Sequence, residues 1–335
     1  MIVVGTGPAG MRVAQELVQR SPECRVRMFG DERWRPYNRV RLTPLMVGDI
    51  RLADVYFPTL CAPDGAEIEI LQRRIVAIDR ESQTVTDMRG DSHRYGRLVL
   101  ATGSRPHVPS IAGVDQANVF TFRDLDDVEK LMARIAQSRR AVVIGGGLLG
   151  LEAARGLHQH KIETVVIEHE RHLMPRQLDD RAGAILADHM GGLGVAVVTG
   201  DGIRVIVGDG RVAGVRLLSG REIACDTVVV CTGIRPNVGF AQDARLSVGH
   251  GIRVDDHMRT SDPTIYAVGE CAEHRDKIYG LVAPGLEQAA VAAHAILGGE
   301  SQYGGSIAAT RLKVVGIPVF NIGAVAESEH RPDFT

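Results

Sequence analysis

Val142-Val143-Ile144-Gly145-Gly146-Gly147-Leu148-Leu149-Gly150-Leu151-Glu152 is the stretch whose reading decides the fold. Three apolar residues, then Gly-x-Gly-x-x-Gly, then a run without helix breakers predict a strand turning tightly into a helix. The exposed N–H groups at the start of such a helix can hold a pyrophosphate. The chain opens on a second copy, Ile2-Val3-Val4-Gly5-Thr6-Gly7-Pro8-Ala9-Gly10. Two such turns imply two dinucleotide sites, and two sites on one chain suggest a relay.

Outward from the first copy, Ala9 to about Arg20 reads as an amphipathic helix with Met11, Val13, Ala14, Leu17 and Val18 inward. A strand over Arg25–Phe29 then leads to Asp31, some 26 residues after Gly5. That is near the spacing of about 20 residues at which an acid accepts the hydroxyls of an adenosine ribose. In the basic, breaker-rich loop Arg33–Leu42, Arg39 is placed to reach a pyrophosphate. A small β-meander is expected from Ile68 to Thr86, after which Leu98-Val99-Leu100-Ala101 returns a buried strand that stops at Thr102-Gly103. Pro106, Pro109 and Gly113 mark a crossing.

The second copy repeats this order. A helix from Asp124 to about Ser138 precedes it, and Thr164–Ile167 is the strand that ends on Glu168, about 23 residues past Gly145. An acid there accepts from a 2′-OH and repels a 2′-phosphate, favouring NADH; the nearby His169 and Arg171 keep NADPH possible. A helix over Asp179–Met190 and a strand over Val195–Val198 come next. Val205–Val207, Val212–Leu218 and Thr227–Val230 are read as a second meander, ending on Thr232-Gly233. Strand, glycine turn, helix, acid, meander and Thr-Gly thus occur twice, as in an internal repeat. Later, Thr260–Glu270 is a strand closing on Gly269-Glu270, Pro284-Gly285 opens a helix through Leu297, and Arg311–Val325 reads as a hairpin.

Composition bounds the function. With 335 residues, 44% of them hydrophobic, the chain can fill two cores. Lys plus Arg (39) balance Asp plus Glu (41) and aromatic residues are 4%, so no nucleic-acid partner is expected. The five cysteines are scattered without a Cys-x-x-Cys, which argues against zinc and four-thiolate clusters and for a reducing, cytoplasmic setting. His158/His160 and His169/His172 lack the i, i+4 spacing of helical ligands, so no metal is expected. The first strand follows Met1 at once and no run approaches a membrane span, so neither a leader nor a membrane partner is expected.

Together these residues resemble the two-dinucleotide-fold flavoprotein reductases. Within them, Gly145–Glu152, Thr232–Pro236, Val268-Gly269-Glu270-Cys271-Ala272-Glu273 and Tyr279–Gly285 are most similar to one branch. That branch is the N-terminal flavin module of the assimilatory NAD(P)H nitrite reductase large subunit and of the assimilatory nitrate reductase electron-transfer subunit. The resemblance implies an α/β fold of two nested Rossmann-like domains, glutathione-reductase-like, each with a β-meander. The FAD-binding domain would span 1–112 and 245–308, the NAD(P)H-binding domain 113–244, and an incomplete C-terminal interface domain would begin over 309–335.

By the same resemblance, Gly5, Gly7, Pro8, Ala9, Gly10, Asp31, Arg39, Val76, Ala101, Thr102, Gly103, Glu270, Pro284, Gly285 and Leu286 would line FAD. Gly145, Gly147, Leu148, Leu149, Gly150, Glu168 and Gly233 would hold NADH, with Glu152 near the nicotinamide. The implied reaction passes a hydride from NADH to the flavin, then electrons to an iron–sulfur or sirohaem acceptor on a separate chain or a C-terminal continuation; it requires no catalytic nucleophile. One departure matters: Val40-Arg41-Leu42-Thr43-Pro44 lacks the redox cysteine of the disulfide- and peroxide-reducing relatives, so those substrates are disfavoured. Rival readings are the flavin subunit of an opine or amino-acid oxidase and a non-catalytic nucleotide-sensing flavoprotein. The acceptor and the oligomeric state stay open.

Overall fold

A computed structural model describes residues 1–307, 309–312 and 319–322. The chain forms two compact units, Met1–Arg105 with Ile234–Ser306, and Pro106–Gly233 with the described tail residues from Ile307. These crossings fall directly beside the two Thr-Gly turns, earlier than the expected 112/113 and 244/245.

In the first unit a five-stranded parallel sheet runs in the order Ile265–Ala267, Leu98–Leu100, Ile2–Val4, Arg25–Phe29, Glu67–Leu71. Its central strands are apolar and buried throughout, as strands covered on both faces must be. The helices Pro8–Arg20 and Val282–Ile296 share one core, where Val13, Ala14 and Leu17 join Ala289, Ala292 and Ala293. Alanines on the facing stripe let the two helices approach closely. Ile75, Val85 and Tyr95 of the meander and its exit fill a second core with Phe29, Leu98 and Ile265.

Two expectations are corrected here. The segment Glu67–Leu71 is not part of the meander but the edge strand of the parallel sheet, paired with Arg25–Phe29; the meander is Ile75–Asp79, Thr84–Asp87 and Ser92–Arg94. Alternating apolar and polar residues suit an edge strand as well as a hairpin strand, so periodicity cannot separate them. The helix expected from Pro284 starts at Val282, because a proline fits anywhere in a first turn whose N–H groups have no intrahelical partner.

The second unit has its own parallel sheet, in the order Val195–Val198, Glu163–Ile167, Arg140–Ile144, Thr227–Val230, Val119–Thr121. Thr227–Val230, expected in the meander, is instead a fully buried strand beside Arg140–Ile144. Its run Thr-Val-Val-Val shows no alternation, which is the signature of a strand covered on both faces. The meander is Ile203–Gly208, Val212–Leu217 and Glu222–Ala224. Asp124 and Asp179 cap the helices Leu125–Ile135 and Asp180–Gly192, accepting from Asp127 N–H and Ala182 N–H at 2.8 Å each. Of the expected terminal hairpin, Ala309–Leu312 and Val319–Ile322 pair antiparallel; residues 313–318 and 323–325 lie outside the described residues. Among the described residues no helix is long and apolar enough to cross a membrane.

Candidate functional site

The two glycine turns are built alike. Gly5 and Gly145 have φ of +115° and +109°, and a Cβ at either would stand 2.1 Å from Ala101 O or 2.4 Å from Cys231 O. A Cβ at Gly10 or Gly150 would stand 2.0 or 1.9 Å from the carbonyl oxygen of Gly5 or Gly145. Those four glycines are demanded by the fold. The middle ones are not: a Cβ at Gly7 or Gly147 would meet no protein atom within 4 Å. Both cap the helices Pro8–Arg20 and Leu148–Gln159 without a side chain, so the first-turn N–H groups and the positive helix end face open space. A pyrophosphate fits that arrangement at each turn.

The acid of the second turn is where spacing puts it. Glu168 is buried, with Oε2 accepting from Gly146 N–H at 2.6 Å and Oε1 from Glu170 N–H at 2.9 Å. Glu152 and Asp127 lie close enough to Cys231 to add to burial of its thiol, which is pushed up to about 12. Leu148 and Leu149 follow Gly147 in the first turn, and Gly233, at φ +104°, leaves its Cβ side open.

The first turn differs. Gly5 N–H donates to Phe29 O at 2.7 Å just as Gly145 N–H donates to Ile167 O at 2.8 Å, so the residue matching Glu168 is Gly30. A Cβ at Gly30 would lie 2.7 Å from Thr6 Oγ1: Thr6 fills the room that Gly146 leaves for the Glu168 carboxylate. Asp31 turns outward, with its side chain 68% exposed and 4.0 Å from Arg74. Glu32 turns back. The buried Tyr37 donates its hydroxyl to Glu32 Oε2, and Arg39 pairs with Oε1 while donating to Tyr37 Oη at 3.2 Å. With Thr6 and Gly7 these three side chains line a small cavity, joined by Trp34 and Arg35. Of the residues expected at the first dinucleotide site, Arg39 lines this cavity with Gly7, whereas Asp31 does not and its neighbour Glu32 does.

Around Gly269 the remaining first-unit residues gather. Gly269 has φ +79°; a Cβ on it would be 3.1 Å from Ala9 Cβ, and one on Gly285 would be 3.3 Å from Gly269 Cα. Pro8-Ala9 and Pro284-Gly285, with half-buried Leu286 next, thereby bring two helix N-termini onto the Gly269-Glu270 turn. The fully buried Gln288 accepts from Gly269 N–H at 2.8 Å, and the Ser104 hydroxyl donates to Glu270 Oε2 at 2.7 Å. Neither Gln288 nor Ser104 was anticipated from sequence. Ala101, Thr102 and Gly103 form the adjoining loop, and Ala101 N–H donates to Val4 O at 2.7 Å. Val76 stands at a bulge of the meander, 48% exposed.

The stretch Val40–Pro44, which holds no cysteine, lies in a 3₁₀ turn, Arg39–Arg41, and a short helix, Leu42–Met46. Cys271, beside Glu270, is buried with its thiol raised by desolvation, and donates to Leu100 O and Val268 O at 3.3 Å.

Residues 1–295 match the pyridine nucleotide-disulphide oxidoreductase family. The chain is 41% identical, over 99% of its length, to a nitrite reductase [NAD(P)H] of Bacillus subtilis. It is 35% identical, over 98% of its length, to the assimilatory nitrate reductase electron transfer subunit of that organism. It spans less than half of either relative, 42% and 43%. Among solved structures it is similar to an NAD-dependent persulfide reductase from A. fulgidus, with a TM-score of 0.91 and 28% identity, covering 97% of this chain and 64% of that one. By fold, by its paired glycine turns and by sequence, the chain belongs to the pyridine nucleotide-disulphide oxidoreductase family.

Proposed function

We propose that this chain is the FAD- and NADH-binding electron-transfer module of a cytoplasmic NAD(P)H-dependent reductase of nitrite or nitrate assimilation. Its acceptor would be an iron–sulfur or sirohaem centre, on a separate chain or a C-terminal continuation. The observation that carries the reading is the doubled glycine turn whose middle glycine, Gly7 or Gly147, faces open space at a helix N-terminus. The chemistry that a bound flavin and nicotinamide supply is hydride and electron transfer.

The chain's own part is binding, orientation and electrostatics. In the first unit the N-termini at Pro8 and Val282 favour negative charge, Glu270 is presented by Ser104, and Glu32 takes the ribose role expected of Asp31. Arg39 would face the pyrophosphate, Val76 the adenine, and Ala101–Gly103 the flavin. In the second unit Glu168 accepts the 2′-OH of NADH, and Gly145–Gly150 with Gly233 cradle the rest. Cys231 and Cys271 carry thiols pushed towards the protonated form, which suits neither attack on a disulfide nor on a peroxide.

Anaerobic mixing with NADH tests the reading. Rapid bleaching of the flavin band near about 450 nm is expected. Bleaching by an amine but not by NADH would instead make the chain an oxidase subunit; a change of oligomeric state without bleaching would make it a sensor.

A further inference from the structure

The chain leaves the first unit after Arg105 and returns after Gly233, on two copies of one motif, Thr102-Gly103-Ser104-Arg105-Pro106 and Thr232-Gly233-Ile234-Arg235-Pro236. Each copy is latched. In the second unit the Thr232 hydroxyl donates to His107 O, and His107 N–H donates to Gly233 O at 2.9 Å. In the first unit the Thr102 hydroxyl donates to Asn237 O at 3.0 Å, and Asn237 N–H to Gly103 O at 2.9 Å. There the side chain adds more. Asn237 Nδ2–H donates to Thr102 O at 2.9 Å, and Oδ1 accepts from Arg105 at 3.3 Å. The amide orientation is fixed by chemistry, because a carbonyl can only accept and a guanidinium only donate.

We infer that Asn237 is a positioning residue for the flavin site of the first unit, an inference that rests on the flavin reading above. The carbonyls of both Thr102 and Gly103 end on Asn237. The loop they belong to stands beside the Glu270 carboxylate, which lies 4.0 Å from where a Gly103 Cβ would be and receives the hydroxyl of the next residue, Ser104. A carbonyl dipole swung towards that carboxylate would repel it, and the loop would lose the shape in which Ser104 presents Glu270. Asn237 acts by holding the loop.

The test uses the full chain freed of flavin and titrated with FAD, read by flavin fluorescence and by visible circular dichroism. Asn237→Asp sets a carboxylate oxygen against Thr102 O and is expected to raise the FAD Kd about 10- to 100-fold, Asn237→Ala about tenfold. The visible dichroism of the flavin that does bind should change in both, while NADH binding to the second unit stays within about twofold. A merely structural asparagine would lower the melting temperature and leave the bound-flavin spectrum as in wild type. FAD affinity within twofold and a superimposable spectrum in Asn237→Asp overturn the inference. If both variants fail to fold, Asn237→Ser, which keeps a small polar side chain but loses the amide bond to Thr102 O, decides: about a threefold or larger rise in Kd supports it and an unchanged Kd overturns it. A wild-type chain that takes up no FAD refutes the flavin reading itself, and this inference with it.

Discussion

Exchanging Gly147 or Gly150 for alanine adds the same methyl group three residues apart and should produce opposite phenotypes. At Gly150 the new Cβ would sit 1.9 Å from Gly145 O and 3.4 Å from Cys231 Cβ. The first obstacle is backbone, so the helix Leu148–Gln159 must shift by more than about an ångström; overpacking of this kind costs about 1–3 kcal/mol. For a unit of this size that lowers Tm by roughly 3–10 °C. At Gly147 the backbone is ordinary extended chain, φ −80° and ψ −177°, and the Cβ meets nothing. Alanine is a poorer N-cap than glycine by about 0.5 kcal/mol, and the stiffer unfolded chain returns about as much, so stability should hold within about 0.5 kcal/mol. That methyl group, however, stands in the open space at the helix N-terminus. NADH binding should weaken at least about tenfold, or about 1.4 kcal/mol. Thermal unfolding by circular dichroism and calorimetric titration with NADH read both effects. If Gly147→Ala keeps wild-type NADH affinity, or Gly150→Ala melts with wild type, the division of labour among these glycines is wrong.

Further outcomes follow from other contacts. Glu168→Ala should relax the preference for NADH over NADPH, and an unchanged ratio of kcat/KM would falsify its role at the 2′-OH. Glu32→Gln is expected to weaken FAD binding about tenfold and Asp31→Asn to leave it within about twofold; the reverse order in a flavin titration would restore Asp31 to the ribose. Gln288→Leu leaves Gly269 N–H, in a half-buried place, without its acceptor, so urea melts should show a loss of about 1 kcal/mol. Arg275 and His274 hold the Asp256 carboxyl at about 2, below the roughly 3.9 of an unfolded chain. The unfolded state therefore binds its proton first as pH falls, and the contribution of Asp256 to stability, full above about pH 4, is lost towards pH 2. Asp256→Asn should flatten the fall in Tm across that window; an unaltered slope would show that other carboxylates set it.

What was legible in the sequence is what a local period or a steric rule writes into it. The strand Arg25–Phe29, the inward face of Pro8–Arg20 and both glycine turns were readable because strand pairing, helix burial and tight turns each restrict residues at fixed short intervals. The position of Glu168 was readable because it is the first residue past its strand, where chain direction aims it at Gly146. Thr227–Val230 follows the meander strand Glu222–Ala224 after two residues, so nearness in sequence does not separate it from the meander, whereas its unbroken apolar run marks a doubly covered strand.

The outward turn of Asp31 has a different origin. Spacing locates a ribose acid to within a residue or two, and here two acids stand side by side. Which one turns inward is decided across the sheet turn: Thr6 occupies the volume beside Gly30 that the second turn, having Gly146 in place of Thr6, cedes to Glu168. The acid proposed for the ribose then comes from further along, where Tyr37 and Arg39 hold Glu32. Gln288 and Asn237 escape sequence reasoning for the same reason: Gln288 meets Gly269 from the second turn of a later helix, and Asn237 meets Thr102 across more than a hundred residues. Hydrogen bonds made by a unique side chain to one distant backbone group leave no period in the sequence. In this chain those bonds, more than the glycine turns both units share, give the first unit its own character: the second unit matches its latch with His107 through the main chain, while the first adds an amide that holds the loop beside Glu270.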